Sequence, residues 1–373
     1  MKKQLALICA LGLLLSGCSK AEPQEVTTVT SAEGTTVSAN EDTETEISET
    51  EPIETTTEET TAVTAGENQV VIGGQVYDID TEELYLIAQN LTADDADALS
   101  QMTNLLRLEL NYFTNDDVEN VSEALSGIED FSDITLVLSE AYVSDLSFLN
   151  NLPNLKTLRV IFSGIKDYST LENIPTLEKL AVRSSSINGY SQFSGLTNIT
   201  ELDLGEGSAD DLSPLSGLTN LKKLNLDHST LGDLTPLNSL TSLEELDISY
   251  TNVEDISPLS SMTWLDSVYL HDNSVTDISP LTFTRLGCIS IDYDSADYIE
   301  TLNKMKCLNT LIIIFTGTSD VLSLSSLTGL HNLYIFYGPD VNEEDIEALR
   351  QALPDCEIST EYSEWLKVRG EDE

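Results

Sequence analysis

Apolar residues in the middle of this chain return every 22 positions, and that period constrains the fold more than any other feature. Leu243, Leu246, Ile248, Val253, Ile256, Leu259 and Met262 are matched 22 residues earlier by Leu221, Leu224, Leu226, Leu231, Leu234, Leu237 and Leu240. Leu265, Val268, Leu270, Val275, Ile278 and Leu281 repeat them once more. No helical or simple strand period generates this uneven spacing. A fixed period of this length predicts a solenoid, whose units cannot bury an apolar face alone and do so by stacking. In each unit the segment 243–248 reads as a short strand, with Leu246 and Ile248 turned inward and the residues between them facing solvent.

After the strand comes a small polar residue, at Ser163, Ser185, Ser229, Thr251 and Asn273, suited to satisfying backbone groups in a tight bend. Asp follows at Asp145, Asp167, Asp211, Asp233, Asp255 and Asp277, placed to cap a short helical or 3₁₀ turn by accepting from backbone N–H groups. Pro214, Pro236, Pro258 and Pro280 open that turn, where a missing N–H is harmless. Over residues 82–340 the pattern resembles the internalin-type bacterial leucine-rich repeat, L-x-x-L-x-L-x-x-N-x-I-x-D-I-S-P-L-x-x-L. The resemblance implies an α/β solenoid: a leucine-rich-repeat horseshoe of about 22-residue repeats with a parallel β-sheet on its concave face. The Asn position is mostly Ser, Thr or Gly here, so a continuous Asn ladder is not expected.

Taken in order, residues 1–17 read as a lipoprotein signal peptide, with Lys2 and Lys3 before an apolar run too short to span a membrane as a stable helix. Leu15-Ser16-Gly17-Cys18 resembles the bacterial lipobox, which implies cleavage before Cys18 and a diacylglycerol on its sulfur. The competing reading is an ordinary secretory signal with a chance Cys. Residues 18–68, rich in Thr and Glu, cannot bury enough apolar surface to offset ordering and read as a disordered stalk. Residues 69–103 read as an N-terminal cap, with a turn at Gly73-Gly74 and a helix from about Asp94 to Met102. Residues 104–340 hold the repeats, the first carrying a true helix in NDDVENVSEALSG. From Asp133, where Leu is expected, units start 22 apart except for one step of 21 to Leu286. Residues 341–373 form a C-terminal cap and tail: a helix N-capped by Asn342 and stopped by Pro354, then a last strand at 356–358.

A net charge of −48, from 65 Asp and Glu against 17 Lys and Arg, disfavours nucleic acid and anionic lipid headgroups as partners. Contact with the membrane is therefore expected through the lipid at Cys18 alone. Cys288, Cys307 and Cys356 cannot all pair, and no disulfide framework is expected.

The register maps the solvent-facing columns two, four and six residues after the first Leu of each repeat. Lys179, Glu201, Lys223 and Glu245 form an alternating charge ladder, which keeps neighbours compatible without any ligand. Arg159, Asp203, Asn225 and Asp247, with Asp227 beside them, hold oxygen ligands but no close-spaced calcium loop. No metal or other cofactor is expected. Towards the C-terminus the face turns aromatic. Tyr269, His271, Ile312, Ile314, Tyr334 and Phe336 fall on neighbouring strands pointing away from the core, with Tyr293, Phe315 and Tyr337 near their rims. This is the expected ligand-binding patch of the concave face. Alternatively the tail, through Tyr362, Trp365 and Leu366, folds back over it.

Neither G-x-S-x-G, H-E-x-x-H, a phosphate-cradling glycine loop nor paired Cys spacing occurs, so no enzyme is expected. The reading is a lipid-anchored protein on the extracellular face of a bacterial cell membrane that binds a protein of host or bacterial surface, or a glycan, without catalysis. The rival is an envelope-organising scaffold with no external ligand. A transporter's solute-binding lipoprotein would need two lobes, and one repeat array argues against it.

Overall fold

The computed structural model describes residues 65–361, apart from 186, 188, 208–210, 294–296, 316–319 and 337–340. The leader, Cys18, the stalk to residue 64, Tyr337 and the tail residues Tyr362, Trp365 and Leu366 lie outside the described residues. The described chain falls within one compact unit, Val63–Arg369.

Strands β1 (Gln69–Ile72) and β2 (Gln75–Asp78) form an antiparallel hairpin that turns at Gly73 and Gly74. Then follow β3 (Glu83–Ile87), helix α1 (Asp95–Leu99), β4 (Arg107–Thr114), helix α2 (Val118–Leu125), β5 (Thr135–Tyr142), β6 (Thr157–Ile161) and β7 (Lys179–Arg183). Four three-residue strands come next: β8 (Glu201–Asp203), β9 (Lys223–Asn225), β10 (Glu245–Asp247) and β11 (Ser267–Tyr269). The array ends with β12 (Cys288–Tyr293), helix α3 (Asp297–Leu302), β13 (Thr310–Phe315), β14 (Asn332–Phe336), helix α4 (Glu343–Ala352) and β15 (Glu357–Ser359). β3 to β15 make one sheet of 13 strands in chain order, every described pairing parallel. Pairing steps of 22 residues, such as Leu224↔Leu246↔Val268, drop to 21 at Val268↔Ile289, as the spacing predicts.

Behind the sheet the repeating leucines stack into one core. Leu243, Leu246, Ile248, Leu259, Met262 and Leu265 are fully buried, and only Val275 of the repeating set is partly exposed. At the irregular Asp133 the side chain is exposed, and Phe131 and Ile134 fill the core instead. The N-terminal end is closed by Val70 and Ile72 of the hairpin, tied to α1 by Asp95, which accepts from Gly73 N at 2.9 Å and Thr92 N at 2.7 Å. α1 stops at Leu99, short of the expected Met102. There the Ser100 hydroxyl and Gln101 amide donate to Asp97 O at 2.8 and 3.0 Å, competing with the helical bonds. At the other end α4 buries Ile346 and Leu349, and its Asn342 cap accepts from Asp345 N at 2.9 Å.

The repeat turns follow their sequence chemistry. Asp145, Asp167, Asp211, Asp233, Asp255 and Asp277 each accept from the N–H two residues on, at 2.8–2.9 Å. Hydroxyls replace the Asn ladder: Ser163 Oγ donates to Ile161 O at 2.9 Å and accepts from Ala141 N at 3.1 Å. Among the described residues Asn273 alone shows the full pattern, donating to Ile248 O and Leu270 O and accepting from Val253 N at 2.8 Å.

The bonds from Ser147, Ser169, Ser213, Thr235 and Ser279 hold the carboxyls of Asp145, Asp167, Asp211, Asp233 and Asp277 below their usual range. A depressed folded pKa means stability that is present above the unfolded value, about 3.9, and lost as pH falls through the folded one. Relief of the −48 charge acts in the opposite direction. The comparison is therefore with a variant carrying Asn at all five positions, which still accepts the bonds but does not titrate. Its melting temperature should fall less than the parent's between about pH 5 and pH 2. Identical pH profiles would show that the caps do not couple to protonation.

Candidate functional site

Strand pairing aligns three outward columns, as the register predicts. In the first, Lys179↔Glu201↔Lys223↔Glu245 pair in sequence, with salt bridges of 2.8 Å from Lys179 to Glu201 and from Lys223 to Glu245. The lysines are exposed and the glutamates half-buried, so the ladder sets strand compatibility more than stability. The second column runs Tyr85, Glu109, Val137, Arg159, Ala181, Asp203, Asn225, Asp247, Tyr269, Ser290, Ile312 and Tyr334. Its polar members have local work: Asp203, Asn225 and Asp247 each accept from the N–H two residues on, at 2.9–3.0 Å. These side-chain turns coincide with the ends of β8, β9 and β10, and account for their short length.

The oxygen-rich part of this face holds a guanidinium. Arg183 reaches Asp203 at 3.1 Å, Asp227 at 3.0 Å and Glu206 at 3.5 Å. Gly205 makes room for it, since a Cβ there would overlap Asp227 Oδ1 and lie 2.8 Å from Arg183 Nη1. Burial pushes the Asp203 carboxyl above the usual carboxylate range, against the pull of Arg183. Burial acts the same way on Asp227, but His228 and Arg183 outweigh it and hold that carboxyl at about 2. The same Asp227 raises His228, which is exposed and lies 3.6 Å away. Among the described residues no group of three His, Cys, Asp or Glu is placed to hold a metal ion. The sequence pattern does not single out Arg183, although the third column places it one repeat before Gly205 and two before Asp227.

Tyr269, Ile312 and Tyr334 do come together, in a cluster apart from the main core, with Cys288 and Phe336 packed against it. Their exposure differs from expectation. Tyr269 is 6 %, Ile312 1 % and Tyr334 8 % exposed, and His271 is buried, so this is not an open patch. Ser290, the small residue between Tyr269 and Ile312 in the column, is wholly buried as well. Ser249 and Ser290 hydroxyls flank His271 Nδ1 at 3.1 and 3.0 Å. Ile314 and Phe336 are register partners and only half-buried. Tyr293 and Phe315 turn inward instead of lining the rim: they join the main core, rings 5.3 Å apart, with Tyr293 Oη 2.6 Å from Ser323 Oγ.

The open rings lie at the other end of the face. Tyr85, Tyr112, Tyr142 and Phe162 are 45–57 % exposed, beside Ile87 at 46 %. Tyr112 and Phe162 belong to a row of left-handed residues, with Glu140 between them and Ser184, Glu206, His228, Tyr250 and Asp272 after them, with φ between 49° and 61°; Tyr112 and Glu140 lie within β4 and β5, the others past their strands. Such a conformation costs a non-glycine residue roughly 1–2 kcal/mol. The repeat recovers it by extending the ladder, as when Glu206 N donates to Asp227 O at 2.7 Å and His228 N to Ser249 O at 2.9 Å. Because Phe, Glu, His and Tyr occupy the row in place of Gly or Asn, composition gave no signal for it.

A model of the family described as Leucine Rich repeats (2 copies) matches residues 241–283. The internalin inlF of Listeria monocytogenes is 24 % identical, with 72 % of this chain and 89 % of that one covered and a TM-score of 0.50. The fold is a leucine-rich-repeat solenoid. Internalin C2 of the same species is 25 % identical over 53 % of this chain and 91 % of that one, with a TM-score of 0.44. A leucine-rich-repeat protein of Leptospira interrogans is 17 % identical over 75 % and 96 %, with a TM-score of 0.42. No curated protein matches the sequence. In this leucine-rich-repeat array the strand face is the concave one, since strands about 4.8 Å apart stack more closely than the turns behind them.

Removing Arg183 leaves Asp203 and Asp227 without their shared guanidinium, with only His228 beside Asp227. Arg183→Met should lower unfolding stability in urea by about 2–4 kcal/mol, discounted for the exposed part of the network. Lys179→Met, on the exposed ladder, should change it by about 0–1 kcal/mol. Equal effects would remove the distinction between hub and ladder.

Proposed function

We propose that this protein is held at the extracellular face of a bacterial cell membrane by a lipid on Cys18, and that its concave sheet binds a protein partner without catalysis. The observation that supports the binding reading is the set of large rings left open at the N-terminal end of a rigid sheet, Tyr85, Tyr112, Tyr142 and Phe162. Exposed rings grouped on one surface are typical of interaction sites, because a ring adds much contact area for few frozen torsions. A sheet fixed by parallel pairing on both sides loses little further entropy on contact, which leaves more of the contact energy for affinity. The anchor rests on the sequence Leu15-Ser16-Gly17-Cys18 after its apolar run. A charge of −48 over the whole chain disfavours anionic headgroups, so the lipid carries the membrane attachment.

Two outcomes follow. Cys18→Ala in the full chain should abolish labelled-palmitate incorporation and move the protein from the membrane fraction to the medium; an unlabelled parent would end the anchor reading. Tyr142→Ser with Phe162→Ser should lower cross-linking to surface proteins on intact cells at least tenfold while the melting temperature holds. Undiminished cross-linking by that variant would remove the N-terminal rings from the binding face.

A further inference from the structure

With 65 acidic and 17 basic side chains, a cation in this protein has carboxylates in excess. The concave strands show the consequence. Arg107 pairs with Glu109 at 2.7 Å, Arg183 with Asp203 and Asp227, Lys179 with Glu201 and Lys223 with Glu245. Elsewhere Arg350 pairs with Glu343, and Arg285 lies over the Trp264 ring at 4.9 Å. Arg159, in the middle of β6, has no hydrogen bond, ion pair or ring among the described residues.

Its isolation is built into the register. In its column the order is Glu109, Val137, Arg159, Ala181, Asp203. Both immediate neighbours are apolar, and the carboxylate beyond each is already held by its own arginine. Arg159 is half-buried, and burial first and Arg107 second bear against its charge. Its nitrogens are nevertheless not sealed from solvent, whereas Arg107 Nε is. A guanidinium kept in a costly position with its donor fork unused is arranged for an acceptor from outside the chain.

Its register neighbours and the nearby rim are apolar, with Arg107, Arg183, Glu109 and Asp203 acting on it from beyond them. Ile161 follows on the same strand, and the exposed Phe162 closes that repeat at the rim. Tyr142 lies one repeat back, its ring over Gly164 so closely that a Cβ there would fall 2.7 Å from it. Tyr85 and Ile87 stand on β3, three strands away, which is about 14 Å at ~4.8 Å per strand. An extended peptide covers that distance in about four residues.

We propose that the N-terminal half of the concave sheet binds an extended peptide segment of a protein partner through one carboxylate on Arg159, with apolar side chains on either side of it against Tyr142, Phe162, Tyr85 and Ile87. This deepens the binding reading given above and rests on it. A single carboxylate is specified, not an acidic run, because the surplus negative charge of this protein repels a run and the vacant fork accepts one group. A peptide is favoured over an acidic glycan because Val137, Ala181 and Ile161 offer no hydrogen-bonding side chain to ring hydroxyls.

The test is selection of a random nine-residue phage-displayed library on the full chain, followed by titration of the enriched synthetic peptides. Enriched peptides should carry Asp or Glu about four residues from an aromatic or aliphatic side chain. Arg159→Gln should weaken them about ten- to hundred-fold, and replacing the peptide's Glu by Gln should do the same to the parent. Arg159→Lys should restore part of the loss, and no variant should melt below the parent, since no internal bond is removed. Enrichment of peptides without a carboxylate, or binding indifferent to Arg159→Gln, overturns the proposal. So does Arg159-dependent binding confined to an array of sialylated and uronic-acid oligosaccharides. If Arg159→Gln is silent while Tyr142→Ser with Phe162→Ser abolishes capture, the concave-face reading stands and only the carboxylate fails; if both are silent, both fail.

Discussion

A three- to eight-residue strand with one apolar side has nowhere to hide it except against the same side of the next repeat. Everything else in this molecule depends on that constraint. Leu224, Leu246 and Val268 pair in register and are buried together, and a shift of one residue in any strand would turn its leucines to water. The ends of such a stack would remain wet, and the hairpin β1–β2 and helix α4 cover them with Val70, Ile72, Ile346 and Leu349.

The same constraint arranges the polar side. Once the inward positions are fixed, the outward residues have no choice of neighbour, and chemistry must be compatible column by column. The array meets this in three ways: alternating charges in the first column, side-chain turns at Asp203, Asn225 and Asp247 in the second, and a guanidinium among carboxylates where the second and third meet. Each uses up the groups it involves. The places where a column is left open, at Arg159 and along the exposed rings of Tyr142 and Phe162, are then conspicuous by contrast.

Burial also divides the face into two halves of different character. At the C-terminal end Tyr269, Ile312 and Tyr334 cluster and are buried, as is Ser290 between Tyr269 and Ile312 in the column. At the N-terminal end Val137 and Ala181 flank a long cation, and the large rings stand at the rim or on the edge strand, where they remain exposed. Aromatic content alone would have placed the open surface at the C-terminal end, where Tyr269, Ile312 and Tyr334 are buried.

The sequence by itself determined the period, the register with its one-residue deletion at Leu286, the columns, the Asp caps and both terminal caps, because each rests on contacts that recur at fixed spacing or lie within a few residues. What only the tertiary structure decided was which outward side chains stay in water. The burial of Tyr269 and Tyr334, the reach of Arg183 across two repeats to Asp227, the inward turn of Tyr293 and the left-handed row at Phe162 and His228 all depend on side-chain direction and neighbour volume. A one-dimensional pattern records that two residues share a column, but the distance between their side chains is fixed only when the strands are stacked.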